Sequence, residues 1–492
     1  MNLKDYDVIV AGAGNAAIAA ALAAHEKGAK VLVLEKAPLE WRGGNTYFTT
    51  GGFRVAFENA QEIMFRLMPH IPRKEIESYV IADYTKDQYY SEVMRVTDGM
   101  ADPLQLELVV EESLPVLEWM AKQGFEWEPR MGVHSYRKGD KIVFASGGVA
   151  FGSRGGGSGL SERGFVLLAE RGIEVHYSTK VSDLMMDSRG RITGVVARNK
   201  EGVQEIKSKA VILGCGGFEA NPSMRCQYLG KNWDLAKVRG TPYNTGDMIK
   251  VALDLGAAPV GHWGGCHATF IDAEAPQPPN RAMTDRTRRV SFPLSIVVSN
   301  KGGRFLDEGE DLWHFTYAKY GQYCLEQPQL IVYQIFDSKV NSRIEDYYLT
   351  GRCVEANSIR ELAEELEIDT DRLFRTVEEF NAAAPQPNEF EPAKRDGNST
   401  TGISPAKSNW ALKIDTPPYF AYATCCGITF TYGGLSVNRQ AQVLDTEGEV
   451  IPGLYACGEI VGGLFYHNYP GGTGLTRGAV MGRISGYNAA AQ

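Results

Sequence analysis

DVIVAGAGNAAIAAALAAHEKGAKVLVLEKA, residues 7–37, is the stretch whose reading decides the fold. With Tyr6 ahead of it, 6–11 is an apolar run of strand length, and an alanine-rich helix follows to about Lys27. KVLVLE then reads as a second strand ending in Glu35. Between strand and helix lies Gly12-Ala13-Gly14-Asn15-Ala16-Ala17, a G-x-G-x-x-A turn. Gly12 permits the tight turn, and Gly14 lets backbone approach a pyrophosphate at the helix N-terminus, with Asn15 and Ala16 completing the binding turn. Ala17 is small enough for close helix–strand packing. Glu35 stands 21 residues beyond Gly14, where an acid accepts hydrogen bonds from a ribose 2′-OH. The pattern predicts a dinucleotide site on a Rossmann-like α/β domain, without separating FAD from NAD.

The 492 residues allow two or three domains. A net charge of −9 argues against general nucleic-acid binding, although a few local Arg residues can still dominate one pocket. The eight cysteines include one adjacent pair, Cys425 and Cys426, and no CxxC, so no metal centre is expected. Reduced, mostly buried thiols suit a cytoplasmic protein. No apolar run reaches the roughly 18 residues of a membrane span, and no signal-like region precedes the first strand, so export and integral membrane insertion are not expected.

Two Gly-Gly pairs, Gly43-Gly44 and Gly51-Gly52, flank Asn45 and Thr46, and such pairs let backbone pass close to a flat ring or a phosphate. Near the C-terminus, IPGLYACGE at 451–459 supplies a strand, and YPGGTGL at 469–475 turns into a final helix. GGN at 43–45, GGGSGL at 155–160, VILGCGGFEAN at 211–221 and KGGRFLDE at 301–308 complete a set in one order along nearly the whole chain. By these motifs the chain resembles the fumarate reductase and succinate dehydrogenase flavoproteins, a group that includes ketosteroid dehydrogenases. RGTPYNTGD at 239–247, GEDLWHFTYAKYG at 309–321 and TFTYGGL at 429–435 most resemble tricarballylate dehydrogenases, FAD enzymes that desaturate a tricarboxylate to cis-aconitate.

The resemblance implies a glutathione-reductase-type FAD-binding domain, residues 1–222 and 421–492, split by an inserted α+β capping domain, 223–420. Glu35 would hold the adenosine ribose, and Val181 would meet the adenine through its backbone. Lys36, Asn45, Thr46 and both Gly-Gly pairs would line pyrophosphate and flavin. Gly216 joins this set, Gly458 and Glu459 would hold the ribityl chain, and Gly474 and Leu475 would offer amides to a flavin carbonyl. GGGSGL is expected to enter a helix beside the flavin rather than form a second fingerprint for NAD. Succinate dehydrogenases anchor flavin through a His where this chain has Asn45, so FAD is expected to be noncovalent. Within the cap, 358–384 reads as two amphipathic helices broken at DTD, and 384–402 as an exposed loop.

The fumarate-reducing apparatus of that family is largely missing. No Arg follows RFLDE, where Leu312, Trp313 and His314 stand, no His precedes Gly433-Gly434, and Tyr469 replaces an Arg. His267 matches a substrate-binding His, and Arg288 a proton-handling position. Tyr469-Pro470-Gly471 resembles the ketosteroid dehydrogenase turn that polarises a carbonyl. Catalytic roles are therefore expected for Tyr469, His267 and Arg288, and substrate contacts for Arg281, Arg286, Arg289, His314 and His467, with the base left open. The expected function is FAD-dependent desaturation of a carbon–carbon bond next to a carboxylate or carbonyl, a carboxylic acid being the favoured substrate. The alternatives are a cyclic-ketone or 3-ketosteroid dehydrogenase, or an electron-transfer flavoprotein. The electron acceptor is expected to be a quinone, an electron-transfer protein or oxygen.

Overall fold

A computed structural model describes residues 6–386, 390 and 393–492. The opening stretch folds as expected: β1 (Tyr6–Ala11), α1 (Asn15–Glu26) and β2 (Val31–Leu34). The chain continues through α2 (Gly156–Glu170), β3 (Glu174–His176), β4 (Lys180–Met186), β5 (Ile192–Asn199) and β6 (Gly202–Leu213). The cap contributes β7 (Cys266–Asp272), α3 (Trp313–Tyr320), β8 (Val332–Asp337) and β9 (Tyr419–Thr431), and the chain ends with β10 (Val450–Ala456) and α4 (Thr473–Ala490).

Strands β3, β2, β1, β6 and β10 lie side by side and parallel. The first half of β6 instead pairs antiparallel with β5, and β5 with β4, so one long strand joins a meander to the parallel sheet. Strand β1 is almost wholly apolar because both faces are covered. Helix α1 is buried from Asn15 to Ala24 on every side, which its alanines allow. Helix α4 crosses it closely: a Cβ at Gly482 would stand 2.3 Å from the Ala16 carbonyl, and one at Gly486 2.3 Å from that of Ala20.

The cap is built on a second, mainly antiparallel sheet in which β9 pairs with both β7 and β8. Strand β9 runs from Tyr419 to Thr431, across the position 420/421 expected as a domain boundary. The two amphipathic helices form as Ile359–Glu365 and Thr370–Ala383. Of the expected loop at 384–402, residues 387–389 and 391–392 lie outside the described residues, and Asn398 and Thr400 are buried rather than exposed. No helix among the described residues is long and apolar enough to cross a membrane.

Candidate functional site: a dinucleotide cleft ending in an aromatic and cationic pocket

The carboxyl ends of β1, β2, β6 and β10 open into one cleft of about 1710 Å³, its mouth included. This is where ligands sit in open α/β sheets. Gly12 takes φ = 102°, and a Cβ there would stand 2.5 Å from the Gly214 carbonyl. At Gly14 a Cβ would find nothing closer than Thr46 Oγ1 at 3.6 Å. Gly14 precedes α1 and, as a glycine, brings no capping side chain of its own, so the positive end of the helix dipole opens to the cleft. Gly472 precedes α4 in the same way. Thr46 ties the turn together by accepting from the Asn15 amide at 2.9 Å.

Glu35 is buried, its carboxyl pushed up by that burial, and it accepts from the Ala37 amide at 2.7 Å. Lys36 bonds Asp247 at 2.7 Å, and Lys180 bonds the same carboxylate at 2.6 Å. Asn45 donates to Glu219 and to the Thr429 carbonyl, both at 2.6 Å, and accepts from the Thr241 amide at 2.8 Å. It thereby links the first domain to the cap. Burial, with Glu459 beside it, pushes the Glu219 carboxyl well up. Arg477 has an unpartnered buried Nε, and burial pulls its guanidinium down to about 10 against the attraction of Glu459.

Gly12, Gly14, Asn15, Ala16, Glu35, Lys36, Gly44, Asn45, Thr46, Gly52, Val181, Gly216, Gly458, Glu459, Gly474 and Leu475 all line the cleft. Gly43 and Gly51 do not. A Cβ at Gly43 would stand 2.1 Å from Ser161 Oγ, and one at Gly51 2.4 Å from Ser153 Oγ. Their smallness is required by packing around the entry to α2. GGGSGL opens α2 behind that wall and likewise contributes nothing to the lining. The open space at Gly14, the two glycine-led helix starts and the buried polar groups between them fit an extended, doubly phosphorylated dinucleotide.

Beyond this part the cleft ends among Arg130, His134, Arg239, His267, Arg288, Trp313, Tyr317, Phe430 and Tyr469. The pairing of β7 with β9 sets His267 opposite Phe430, their rings 5.3 Å apart. Helix α3 presents Trp313 and Tyr317, four residues and one turn apart, with rings 5.2 Å apart. Tyr317 stands edge-on to His267 at 4.7 Å. The Tyr469 hydroxyl accepts from the amides of Gly472 at 3.0 Å and Gly474 at 3.2 Å. Burial raises its phenol above the ordinary value. His267 is buried with Nδ1 unpartnered, and burial, then the charge of Arg239, keeps it neutral.

Arg288 lines the cleft, but its fork is already occupied. It bonds Asp285 at 2.9 Å and Glu345 through two nitrogens, the longer contact at 3.2 Å. Burial opposes its charge, but Glu345 and Asp285 outweigh burial and hold the guanidinium well above its ordinary value. It stands in the cleft as a cation paired with two carboxylates. Arg239 pairs with the other oxygen of Asp285 and donates to Thr429 Oγ1 at 2.7 Å.

The remaining expected substrate contacts lie elsewhere. Arg281 sits 3.4 Å over the Tyr47 ring and donates to the Arg42 carbonyl at 3.0 Å. Arg286 is exposed beside Tyr347. Arg289 is fully buried in the cap, paired with Asp272 and bonded to three carbonyls. His314, one residue past Trp313 and so about 100° round α3, points away from the cleft, with both ring nitrogens buried and unpartnered. His467 is exposed, and its amide donates to His262 at 3.0 Å. Sequence reasoning passed over Arg130, His134, Arg239 and Tyr317. Arg239 and Tyr317 lay within motifs used for the resemblance, whereas Arg130 and His134 carry no local signal.

Comparison with known proteins agrees with this architecture. The family described as FAD binding domain matches residues 7–475. The chain is 28% identical to an NADH:fumarate oxidoreductase of Klebsiella pneumoniae over 99% of its own length and 48% of the relative's. It is 28% identical to a urocanate reductase of Eggerthella lenta over 99% of its length and 75% of the relative's. It thus spans about half the length of the first relative and three quarters of the second. The open conformation of a flavocytochrome c3 fumarate reductase superposes with a TM-score of 0.75 at 23% identity, over 99% of this chain and 78% of that one. The chain belongs to the FAD binding domain family of the fumarate reductase and succinate dehydrogenase flavoproteins, and FAD is the dinucleotide its cleft holds.

Proposed function

We propose that the chain is an FAD-dependent dehydrogenase that desaturates a carbon–carbon bond next to a carboxylate or carbonyl. The observation that carries this reading is the pocket at the end of the FAD cleft, where three guanidiniums meet a wall of aromatic rings. Bound FAD supplies a two-electron hydride acceptor. The chain's own residues exclude water, hold the substrate and stabilise negative charge on its oxygen. Because the Tyr469 oxygen already accepts two amides, its own proton is left to donate to such an oxygen. An acid substrate is supported by the guanidiniums and by the two relatives' names, fumarate and urocanate both being unsaturated carboxylates. A tricarballylate-like acid is the candidate that the sequence motifs put forward. The acceptor that reoxidises the cofactor is a quinone, an electron-transfer protein or oxygen.

A ketone reading is favoured by one feature, the amide-held Tyr469 hydroxyl, which suits a carbonyl as well as a carboxylate. Anaerobic mixing of the yellow protein with tricarballylate and other saturated acids, then with cyclic ketones, separates the cases. Bleaching of the flavin band by an acid supports the first reading. Bleaching by ketones alone selects the second. Bleaching by neither class sinks desaturation and leaves an electron-transfer flavoprotein.

A further inference from the structure

We infer that Arg130 is the anion-binding group of this pocket, and that the substrate it takes carries a single carboxylate on a flat, mostly apolar body. This rests on reading the end of the cleft as the substrate site. It narrows the substrate by counting the charges there and asking which of them are already matched.

Three guanidiniums line this end. Arg288 spends its nitrogens on Asp285 and Glu345. Arg239 shares Asp285 and bonds Thr429. These two cations and two carboxylates cancel. Arg130 makes no ion pair among the described residues, and its Nε is buried without a hydrogen-bond partner. Burial, and after it the neighbouring Arg288 charge, pulls its guanidinium down to about 10, still protonated at neutral pH. A cation held in this way is relieved by an incoming anion, and a guanidinium fork matches a carboxylate.

Arg130 directly follows the short strand Trp127–Pro129 and lies across two glycines. A Cβ at Gly52 would stand 3.1 Å from its Nε, and one at Gly152 3.2 Å from its Cδ. Any side chain at either position would crowd it, so the two glycines make the room that the Arg130 side chain occupies.

The cleft's fourth guanidinium, Arg477, also has an unpartnered buried Nε, but it donates to the Val461 carbonyl at 3.1 Å, lies 4.8 Å over the Phe465 ring and has the Glu459 charge beside it. Burial keeps His134 and His267 neutral, with the Arg130 charge adding to the effect at His134. What remains is aromatic. Tyr469 meets Phe430 edge-on at 5.0 Å, and His134 meets Trp313 at 4.8 Å. Tyr317, Trp313 and Phe430 complete a surface that suits a planar ring or an extended unsaturated chain and gives a second or third carboxylate no matching cation. Burying an unmatched carboxylate is costly. A tricarboxylate is therefore a poor fit, despite the motif resemblance.

Binding to the oxidised holoprotein tests this without turnover. Phenylacetate carries one carboxylate on a ring and has no second saturated carbon to desaturate. Its uncharged counterpart is phenylacetamide, and tricarballylate is the trianionic comparison. Each is titrated while the flavin difference spectrum is followed. Phenylacetate is expected to perturb the spectrum saturably, at least about tenfold more tightly than either of the others. Arg130→Gln should weaken phenylacetate by about ten- to a hundredfold and leave phenylacetamide unchanged, with Arg130→Lys in between. If Arg130→Gln fails to hold FAD, the Lys variant gives the comparison. Equal phenylacetate affinity in wild type and variant overturns the role of Arg130. Tricarballylate binding tenfold tighter than phenylacetate overturns the single-carboxylate substrate, and no spectral response to phenylacetate overturns both. If phenylacetate binds through Arg130 but no acid bleaches the flavin, desaturation fails and the anion site stands.

Discussion

The Asp285 carboxylate accepts a hydrogen bond from the Arg288 guanidinium at 2.9 Å, with side-chain exposures of 1% and 5%. Its other oxygen meets Arg239. One buried carboxylate thus keeps two buried cations apart at the substrate end of the FAD cleft.

Removing that carboxylate should be expensive. Asp285→Asn leaves Arg239 without a counterion and Arg288 with Glu345 alone, and breaking a buried pair in this way costs about 3–5 kcal/mol. Urea unfolding of the holoprotein should show a loss of that size. A loss below about 1 kcal/mol, the range of exposed pairs, would show that water reaches the cluster.

Gly12 and Gly14 should fail differently. Gly12→Val places side-chain atoms against the Gly214 carbonyl and forces a β-branched residue to φ = 102°, so the apoprotein itself should lose stability. Gly14→Val has room in the empty cleft but fills the space of the pyrophosphate. Its apoprotein should melt near the wild-type temperature and bind no FAD. Stoichiometric FAD in purified Gly14→Val would refute the assignment of this turn.

Asn45 predicts the mode of attachment. An amide cannot form the bond to flavin that a histidine forms there, and Asn45 is engaged with Glu219, Thr429 and Thr241. Acid precipitation should release the flavin into the supernatant. Yellow colour remaining in the pellet would count against noncovalent binding.

His314 predicts a pH effect. Burial, and then the Arg54 charge, depresses its pKa well below 6.5 in the folded state. Below about 6.5 the unfolded chain takes up a proton that the folded one refuses. This contribution is therefore neutral above that pH, and stability is lost as pH falls toward the folded value. His314→Phe removes both the penalty and two unpartnered nitrogens. It should stabilise by about 1–3 kcal/mol at pH 7, and the gap should widen by up to about 1.4 kcal/mol for each unit below 6.5. Parallel denaturation curves at pH 7.5 and 5.5 check both. A gap that narrows at low pH would sink this account.

The sequence by itself determined the features written in local spacing. Strand, glycine turn, alanine helix, strand and Glu35 follow from neighbouring residues, and they specified the fold and one wall of the cleft. The glycine pairs show where that reading stops. Gly44 and Gly52 face the ligand, while Gly43 and Gly51 are small because Ser161 and Ser153 press on them from segments more than a hundred residues along. The arginine run shows it more sharply. Arg281, Arg286, Arg288 and Arg289 look alike as a sequence, but their charges are settled by partners that only folding brings near. Arg288 is matched by Glu345, 57 residues away, and Arg289 by Asp272. Arg130, which makes no ion pair among the described residues, lies outside the run altogether. A charge is available to a ligand only if the fold leaves it without a counterion, and that is a property of three-dimensional neighbours, not of the residue.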